Sequence, residues 1–115
     1  MSLRTIAALA ALAVLSSAWA QSFPSKPVRV IVTFPPGGTP DIYGRVMSVE
    51  LAKLWNQSVV VENRTGAGGR ICWETAAKSA PDGTTAALID ATYTMLPGLF
   101  EKLPWDVASD LVPAA

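Results

Sequence analysis

Residues 28–41 read VRVIVTFPPGGTPD, and this stretch carries three local signals that together decide the fold. Its first part, residues 28–34, is rich in β-branched side chains, which predicts a strand that is buried on both faces. Pro35 and Pro36 follow directly and end the strand, because proline cannot donate to a ladder of backbone hydrogen bonds. The sequence therefore predicts that the first element of the fold is a buried strand that ends at Pro35.

The remaining residues of this stretch predict a glycine turn and a helix start. Gly37 and Gly38 accept backbone angles that other residues avoid. Thr39 is predicted as the N-cap, Pro40 suits the first helical position, and Asp41 favours the first turn. Such a junction directs free N–H groups and the positive end of a helix dipole towards one point, which suits an anion. The same pattern also occurs in plain turns, so both interpretations remain open from this stretch alone.

Strand and helix signals alternate along the rest of the chain. Further strands are predicted over residues 58–62 and 84–89, and helices over residues 41–55, 70–79 and 93–100. Alternation of this kind predicts an α/β fold with a mostly parallel sheet and flanking helices on both faces.

The first helix is predicted to bury a broad apolar face against the sheet. That face consists of Ile42, Tyr43, Val46, Met47, Val49, Leu51 and Leu54. Arg45, Ser48 and Lys53 are predicted to point outward.

A second glycine loop, residues 63–69 (NRTGAGG), follows the second predicted strand. Both glycine loops therefore lie beyond the carboxyl ends of strands, which is the edge where open α/β sheets bind ligands. The second loop does not match the dinucleotide fingerprint, because Ile71 stands where a third glycine is needed. Arg64 and Arg70 flank the loop and are candidates for pairing with a carboxylate ligand.

The first 20 residues predict a cleaved signal peptide. Arg4 precedes the apolar run of residues 6–15, and residues 18–20 (AWA) form a cleavage signal before Gln21. Export by this route predicts a periplasmic location.

The mature chain of 95 residues offers little for catalysis or for polyanion binding. Removal of Arg4 leaves eight basic and nine acidic side chains, a net charge of −1 that predicts no nucleic-acid partner. The sequence contains no histidine, no nucleophile elbow and no Cys/His metal pattern, so we predict no enzyme activity, no cofactor and no metal site. The single cysteine, Cys72, is predicted to be buried, and Trp55, Trp73 and Trp105 to serve in packing.

Four motifs occur in an order and at spacings that resemble one protein family. They are FPPGG followed by Asp41 (residues 34–41), VVVENRxGAGG (residues 59–69), APDGxT (residues 80–85) and LPWD (residues 103–106). The chain resembles a solute receptor of the tripartite tricarboxylate transporter system, the Bug family of extracytoplasmic binding proteins. The resemblance covers essentially all of residues 23–115.

The resemblance implies a type II periplasmic-binding-protein-like lobe and a small carboxylate ligand, which a complete receptor delivers to the membrane permease subunits of the transporter. It implies that the two glycine loops contact the carboxylate through backbone amides and ordered water. The implied contact residues are Pro36, Gly37, Gly38, Thr39 and Asp41 in the first loop and Ala67, Gly68 and Gly69 in the second. No cofactor is implied.

Length separates this chain from such receptors, which need roughly 300 residues for two comparable lobes. We therefore predict that residues 21–115 form the N-terminal part of the first lobe of a truncated receptor that lacks its second lobe. One alternative is a non-transporting fragment that acts as an interaction or sensor partner. Another is a phosphate- or nucleotide-handling enzyme lobe, which the missing histidine and fingerprints disfavour.

Overall fold

The computed structural model describes residues 22–114, and the predicted signal peptide, residues 1–20, lies outside them. Strands and helices alternate as β1 (Val28–Val32), α1 (Thr39–Trp55), β2 (Val59–Asn63), α2 (Arg70–Ala77), β3 (Thr85–Ala87) and α3 (Ala91–Leu99). A single turn of 3-10 helix, Ala67–Gly69, precedes α2. This alternation confirms the predicted α/β class. None of the helices within residues 22–114 has the length and apolar character needed to cross a membrane.

The three strands form a parallel sheet in the order β2-β1-β3, which confirms the predicted parallel topology. Val32 lies opposite Asn63 at the end of β2, and Ile31 lies opposite Ala87 at the end of β3. β1 therefore ends at Val32, two residues before the predicted Phe34, because neither neighbouring strand continues beyond that point.

Helices cover both faces of the sheet, as predicted. Successive side chains of a strand point to opposite faces. Ile31 packs in a cluster with Cys72 and Trp73 of α2, whereas a side chain of Val32 lies close to Gly44 of α1. The two helices therefore lie on opposite sides of β1.

The core lies on the α2 side of the sheet. Its buried members are Ile31, Cys72, Trp73, Ala76, Tyr93, Leu96 and Trp105. The rings of Trp73 and Tyr93 meet edge to face with their centroids 5.1 Å apart, and the Tyr93 hydroxyl donates to the carbonyl of Val107 at 3.0 Å. Trp73 and Trp105 thus serve in packing, as predicted, and Trp55 packs half-buried against Phe23.

The single cysteine is fully buried, as predicted. Burial raises the pKa of the Cys72 thiol to about 12, and the nearby charge of Asp90 adds to that effect. A thiol that stays protonated at neutral pH is a poor nucleophile. Cys72 therefore acts as a small core residue.

The predicted apolar face of α1 is wrong. Most of its members are more than half exposed: Ile42, Tyr43, Val46, Met47, Val49 and Leu54. The helix instead turns Asp41, Gly44 and Ser48 towards the sheet. Gly44 allows this close approach, because a Cβ there would lie 3.2 Å from Leu88 and 3.3 Å from Val32.

Ser48, predicted to point outward, is buried at 5% exposure. Its hydroxyl donates to the carbonyl of Gly44 at 2.7 Å, so the buried oxygen has a hydrogen-bond partner. Arg45 and Lys53 do point outward as predicted. The hydrophobic pattern failed because small residues, not large ones, meet the sheet.

The start of α1 also differs from the prediction. Gly38, in an extended conformation, is the N-cap, and no side chain caps the helix. Thr39 and Pro40 therefore occupy the first two helical positions, one step later in the helix than predicted. The side chain of Asp41 reaches back over the N-cap and accepts the N–H of Gly37 at 2.9 Å, which ties the turn to the helix.

Substitutions on the two faces of α1 should distinguish the observed orientation from the predicted one. Gly44→Val forces a branched side chain between α1 and the sheet and should lower the free energy of unfolding by about 1–3 kcal/mol. Val46→Ala, on the exposed face, should change it by about 0.5 kcal/mol or less. Urea denaturation of the two variants measures both values. The reverse order of effects would mean that α1 buries its large apolar side chains instead.

Candidate functional site

Segments that follow all three strands meet at the carboxyl edge of the sheet. A cavity of about 290 Å³ opens there, at the lower end of the sizes typical of small-molecule sites. We call it the first cavity, and its lining consists of Thr33, Phe34, Pro35, Thr65, Gly66, Gly68, Gly69, Asp90 and Thr92. The prediction that both glycine loops follow strands and lie on one edge is confirmed by this geometry.

A second cavity of about 220 Å³ adjoins the first. It lies towards the start of α1 and is lined by Thr33, Thr39, Pro40, Tyr43, Leu88, Ile89 and Asp90. Thr33 and Asp90 line both cavities. The two cavities therefore share a wall at the ends of β1 and β3.

Asp41 holds the first loop in place. Its side chain is 3% exposed. Oδ2 accepts the N–H of Gly37 at 2.9 Å and the Arg45 Nε–H at 2.9 Å, and Oδ1 accepts from Asn63 Nδ2 at 2.8 Å. These hydrogen bonds hold the pKa of Asp41 well below its usual range, and the hydrogen bond from Arg45 has the largest effect.

Asn63 links the ends of β1 and β2, a role that the sequence analysis missed. Its amide Nδ2 donates to the carbonyl of Phe34 at 2.9 Å as well as to Asp41. The next residue, Arg64, donates its backbone N–H to the carbonyl of Val32 at 2.8 Å. The position of an asparagine at the end of a strand could have indicated this role, because an amide side chain can form hydrogen bonds with the backbone of a neighbouring loop.

The end of the second loop, residues 66–69, has left-handed or otherwise unusual backbone conformations. Gly66, Ala67, Gly68 and Gly69 all have positive φ, at 121°, 48°, 63° and 89°. At Gly69 there is also no room for a side chain, because a Cβ would lie 2.6 Å from the Trp73 ring. At Gly68 a Cβ would meet nothing within 4 Å. Gly69 is thus required for packing, and Gly68 for its backbone angle alone.

The backbone donors of the two loops fall into two groups. The N–H groups of Gly37, Gly38 and Gly69 are engaged internally, by Asp41, by the Pro35 carbonyl and by the Gly66 carbonyl respectively. Thr39 is the first residue of α1, where an N–H has no acceptor within the helix. Ala67 and Gly68 open the 3-10 turn, and no carbonyl within residues 22–114 accepts their N–H groups.

The arginines near the second loop are engaged elsewhere. Arg64 pairs with Glu62, which also accepts from Arg29 Nε at 3.0 Å. The guanidinium carbon of Arg70 lies 5.3 Å from the centre of the Phe100 ring. Neither arginine lines either cavity, so the suggested pairing of these side chains with a ligand has no support in this arrangement.

The residues predicted as ligand contacts are distributed around the cavities. Gly68 and Gly69 line the first cavity and Thr39 lines the second. Pro36, Gly37 and Gly38 form the turn between β1 and α1, Asp41 points inward, and Ala67 is exposed beside Gly68. The cavity residues that were not among the predicted contacts include the polar residues Thr33, Thr65, Asp90 and Thr92. Direct contact of the eight predicted residues with a ligand stays a prediction.

Metal binding finds no support in the described part of the chain. Residues 22–114 bring together no group of three or more Cys, Asp or Glu side chains that is suited to hold a metal ion.

Residues 43–115 match the model of one protein family, described as the tripartite tricarboxylate transporter family receptor. The chain is similar to the protein BugT of Bordetella pertussis, at 42% identity over 98 residues, which cover 84% of this chain and 30% of that protein. A UPF0065 protein of the same organism is 40% identical over 106 residues, which cover 91% of this chain and 33% of that protein. The chain thus spans about a third of the length of these relatives.

Solved structures resemble the fold at the same partial coverage. The periplasmic binding protein BugD matches with a TM-score of 0.72 and 31% identity over 76% of this chain and 29% of BugD. MatC from Rhodopseudomonas palustris, solved with bound malate, matches with a TM-score of 0.70 and 36% identity over 76% of this chain and 30% of MatC. These likenesses confirm the predicted periplasmic-binding-protein-like fold class. The matched family is one of receptors and not of enzymes.

Proposed function

The chain belongs to the tripartite tricarboxylate transporter receptor family, and we propose that it is part of a periplasmic receptor that binds a small carboxylate at the carboxyl edge of its sheet. The observation that carries this proposal is the set of backbone N–H groups of Thr39, Ala67 and Gly68. These groups lie beside two adjoining cavities and have no acceptor among residues 22–114. Backbone donors at a helix start suit an anion. MatC, solved with malate, and a further relative solved with adipate support a carboxylate as that anion.

The eight predicted contact residues take four roles in this proposal. Thr39, Ala67 and Gly68 donate their backbone N–H groups to the ligand or to water that bridges to it. Pro36, Gly37 and Gly38 shape the turn that presents the first of these donors, and Gly69 seats the second loop on Trp73. Asp41 acts through Gly37 and Asn63, because both of its oxygens already accept hydrogen bonds from the protein.

The proposal also covers the parts of the receptor beyond the described residues. Residues 1–20 act as a cleaved signal peptide that exports the chain to the periplasm. Residues 21–115 form the N-terminal part of the first lobe of a two-lobe receptor, as their coverage of about a third of the relatives supports. Closure of two lobes excludes water and strengthens contacts with a carboxylate. The loaded receptor would then deliver its ligand to the membrane permease subunits of the transporter.

A binding screen on the mature full-length gene product tests the proposed function. The panel contains mono-, di- and tricarboxylates, amino acids, inorganic phosphate and a nucleotide, and binding is followed by thermal shift and then by calorimetry. We expect one bound carboxylate per chain and no turnover of the nucleotide. Failure of every carboxylate to shift the melting temperature would contradict the proposal, and selective binding of phosphate or nucleotide would favour the enzyme-lobe alternative.

A further inference from the structure

Asp90 lies where the first and second cavities meet. It is half-buried, it follows β3, and it lines both cavities. Its Oδ1 accepts the N–H of Thr92 at 2.8 Å and so caps α3. No donor within residues 22–114 bonds to Oδ2, which leaves one carboxylate oxygen available at the site.

The charge of Asp90 is unopposed at the cavities. Among the described residues that line them, Asp90 is the one charged side chain, and the others are threonines, glycines, prolines, Tyr43 and apolar residues. The nearby Arg64 pairs with Glu62, and Arg70 stacks on Phe100. Within residues 22–114, no arginine or lysine therefore lines the cavities beside Asp90.

This arrangement gives the site two electrostatic sides. Backbone donors at Thr39, Ala67 and Gly68 favour an anionic group, whereas the Asp90 carboxylate disfavours a second anion and favours a cation or a hydrogen-bond donor. In a partly closed site, a hydrogen bond between an ammonium and a carboxylate is stronger than one between neutral groups. A ligand that carries both a carboxylate and an ammonium matches both sides.

We propose that Asp90 is a specificity-determining residue that makes the receptor prefer an α-amino acid over a carboxylate of the same skeleton without an ammonium group. The inference rests on the proposed carboxylate-binding function and adds to it the chemical class of the ligand. The amino group donates a hydrogen bond to Asp90 Oδ2, and the hydroxyl oxygens of Thr33, Thr65 and Thr92 in the first cavity accept hydrogen bonds from its remaining N–H groups.

Matched ligand pairs test this inference on the mature full-length protein by calorimetry. The pairs are alanine and propionate, aspartate and succinate, glutamate and glutarate, and phenylalanine and 3-phenylpropionate. The wild-type protein should bind the amino acid of its preferred pair about tenfold more tightly or better, as expected for a charge-assisted hydrogen bond. Equal or tighter binding of the member without an ammonium group would overturn the inference.

The variant Asp90→Asn separates charge from structure. Asparagine is as good an N-cap as aspartate, so α3 should stay intact. The variant should lose most of the tenfold preference, while Glu101→Gln, which removes an exposed charge outside the cavities, should keep it. An unchanged preference in Asp90→Asn would overturn the role of Asp90. If the protein binds a carboxylate without an ammonium group, such as citrate, and binds no amino acid, this inference is overturned and the proposed function stands. If it binds no carboxylate at all, both are overturned.

Discussion

Gly69→Ala should lower the free energy of unfolding by about 3 kcal/mol or more, because it combines two unfavourable effects at one position. The backbone of Gly69 has φ of 89°, which L-residues with a Cβ rarely adopt. The added Cβ would also lie between 2.6 and 2.9 Å from three atoms of the Trp73 ring. Trp73 is fully buried and packs against Tyr93, so a shift of its ring would disturb the core.

Gly68→Ala provides the matched control one residue earlier. It too has a positive φ, of 63°, but a Cβ there meets no atom within 4 Å. The expected loss is therefore the conformational term alone, about 1–2 kcal/mol. Urea denaturation of both variants gives the two values from the midpoints and slopes. Equal losses would show that contact with Trp73 is not what requires glycine at position 69.

Asp41→Ala should lower the melting temperature by on the order of 10 °C, a large shift for a domain of this size. The substitution leaves the N–H of Gly37, the Nδ2 of Asn63 and the guanidinium of Arg45 without the acceptor that joins them. Loss of a shared acceptor releases the turn before α1 and its link to β2 together. Glu50→Ala, on the exposed side of the same helix, removes a solvent-exposed pair with Lys53 and should change the melting temperature little.

Asp41→Ala should also make the free energy of unfolding less dependent on pH in the acid range. The pKa of Asp41 is lower in the folded than in the unfolded protein, so the unfolded state binds more protons as the pH falls below about 4–5. Its stabilising contribution is complete above that range and is lost on acidification. Asp41→Ala lacks this term, and Glu62, Asp82 and Asp106, whose pKa values are also lowered, contribute to the slope that remains. An identical slope in variant and wild type from pH 6 to pH 3 would contradict this account of Asp41.

Local chemistry made much of the fold predictable from the sequence. The β-branched run in β1, the alternation of strands with helices and the glycine loops gave the parallel sheet and the edge where the loops meet. The Glu74–Lys78 pair at 2.6 Å and the turn role of Asp82, which accepts from Thr84, also follow from spacing and residue type. These features depend on interactions between residues that are close in the sequence, so residue type and spacing are enough to predict them.

Other features depended on tertiary contacts that periodicity does not record. α1 approaches the sheet through Gly44 and Ser48, so a hydrophobic stripe indicated the wrong face. The role of Asn63 arises because β2 ends beside the first loop. No motif in the sequence assigns a role to Asp90. Its place between two cavities follows from the short β3, which ends at Ala87 rather than at the predicted residue 89.

An NMR titration of the isotope-labelled mature full-length protein with its tightest-binding carboxylate tests the central claim most directly. The account predicts that the largest amide shifts fall on Thr39, Ala67 and Gly68, whose N–H groups are available at the carboxyl edge. Gly83 should remain unchanged, because its turn precedes β3 and lies at the opposite edge of the sheet. Saturable binding whose shifts leave all three of those amides unmoved would contradict the claim that this edge binds the ligand.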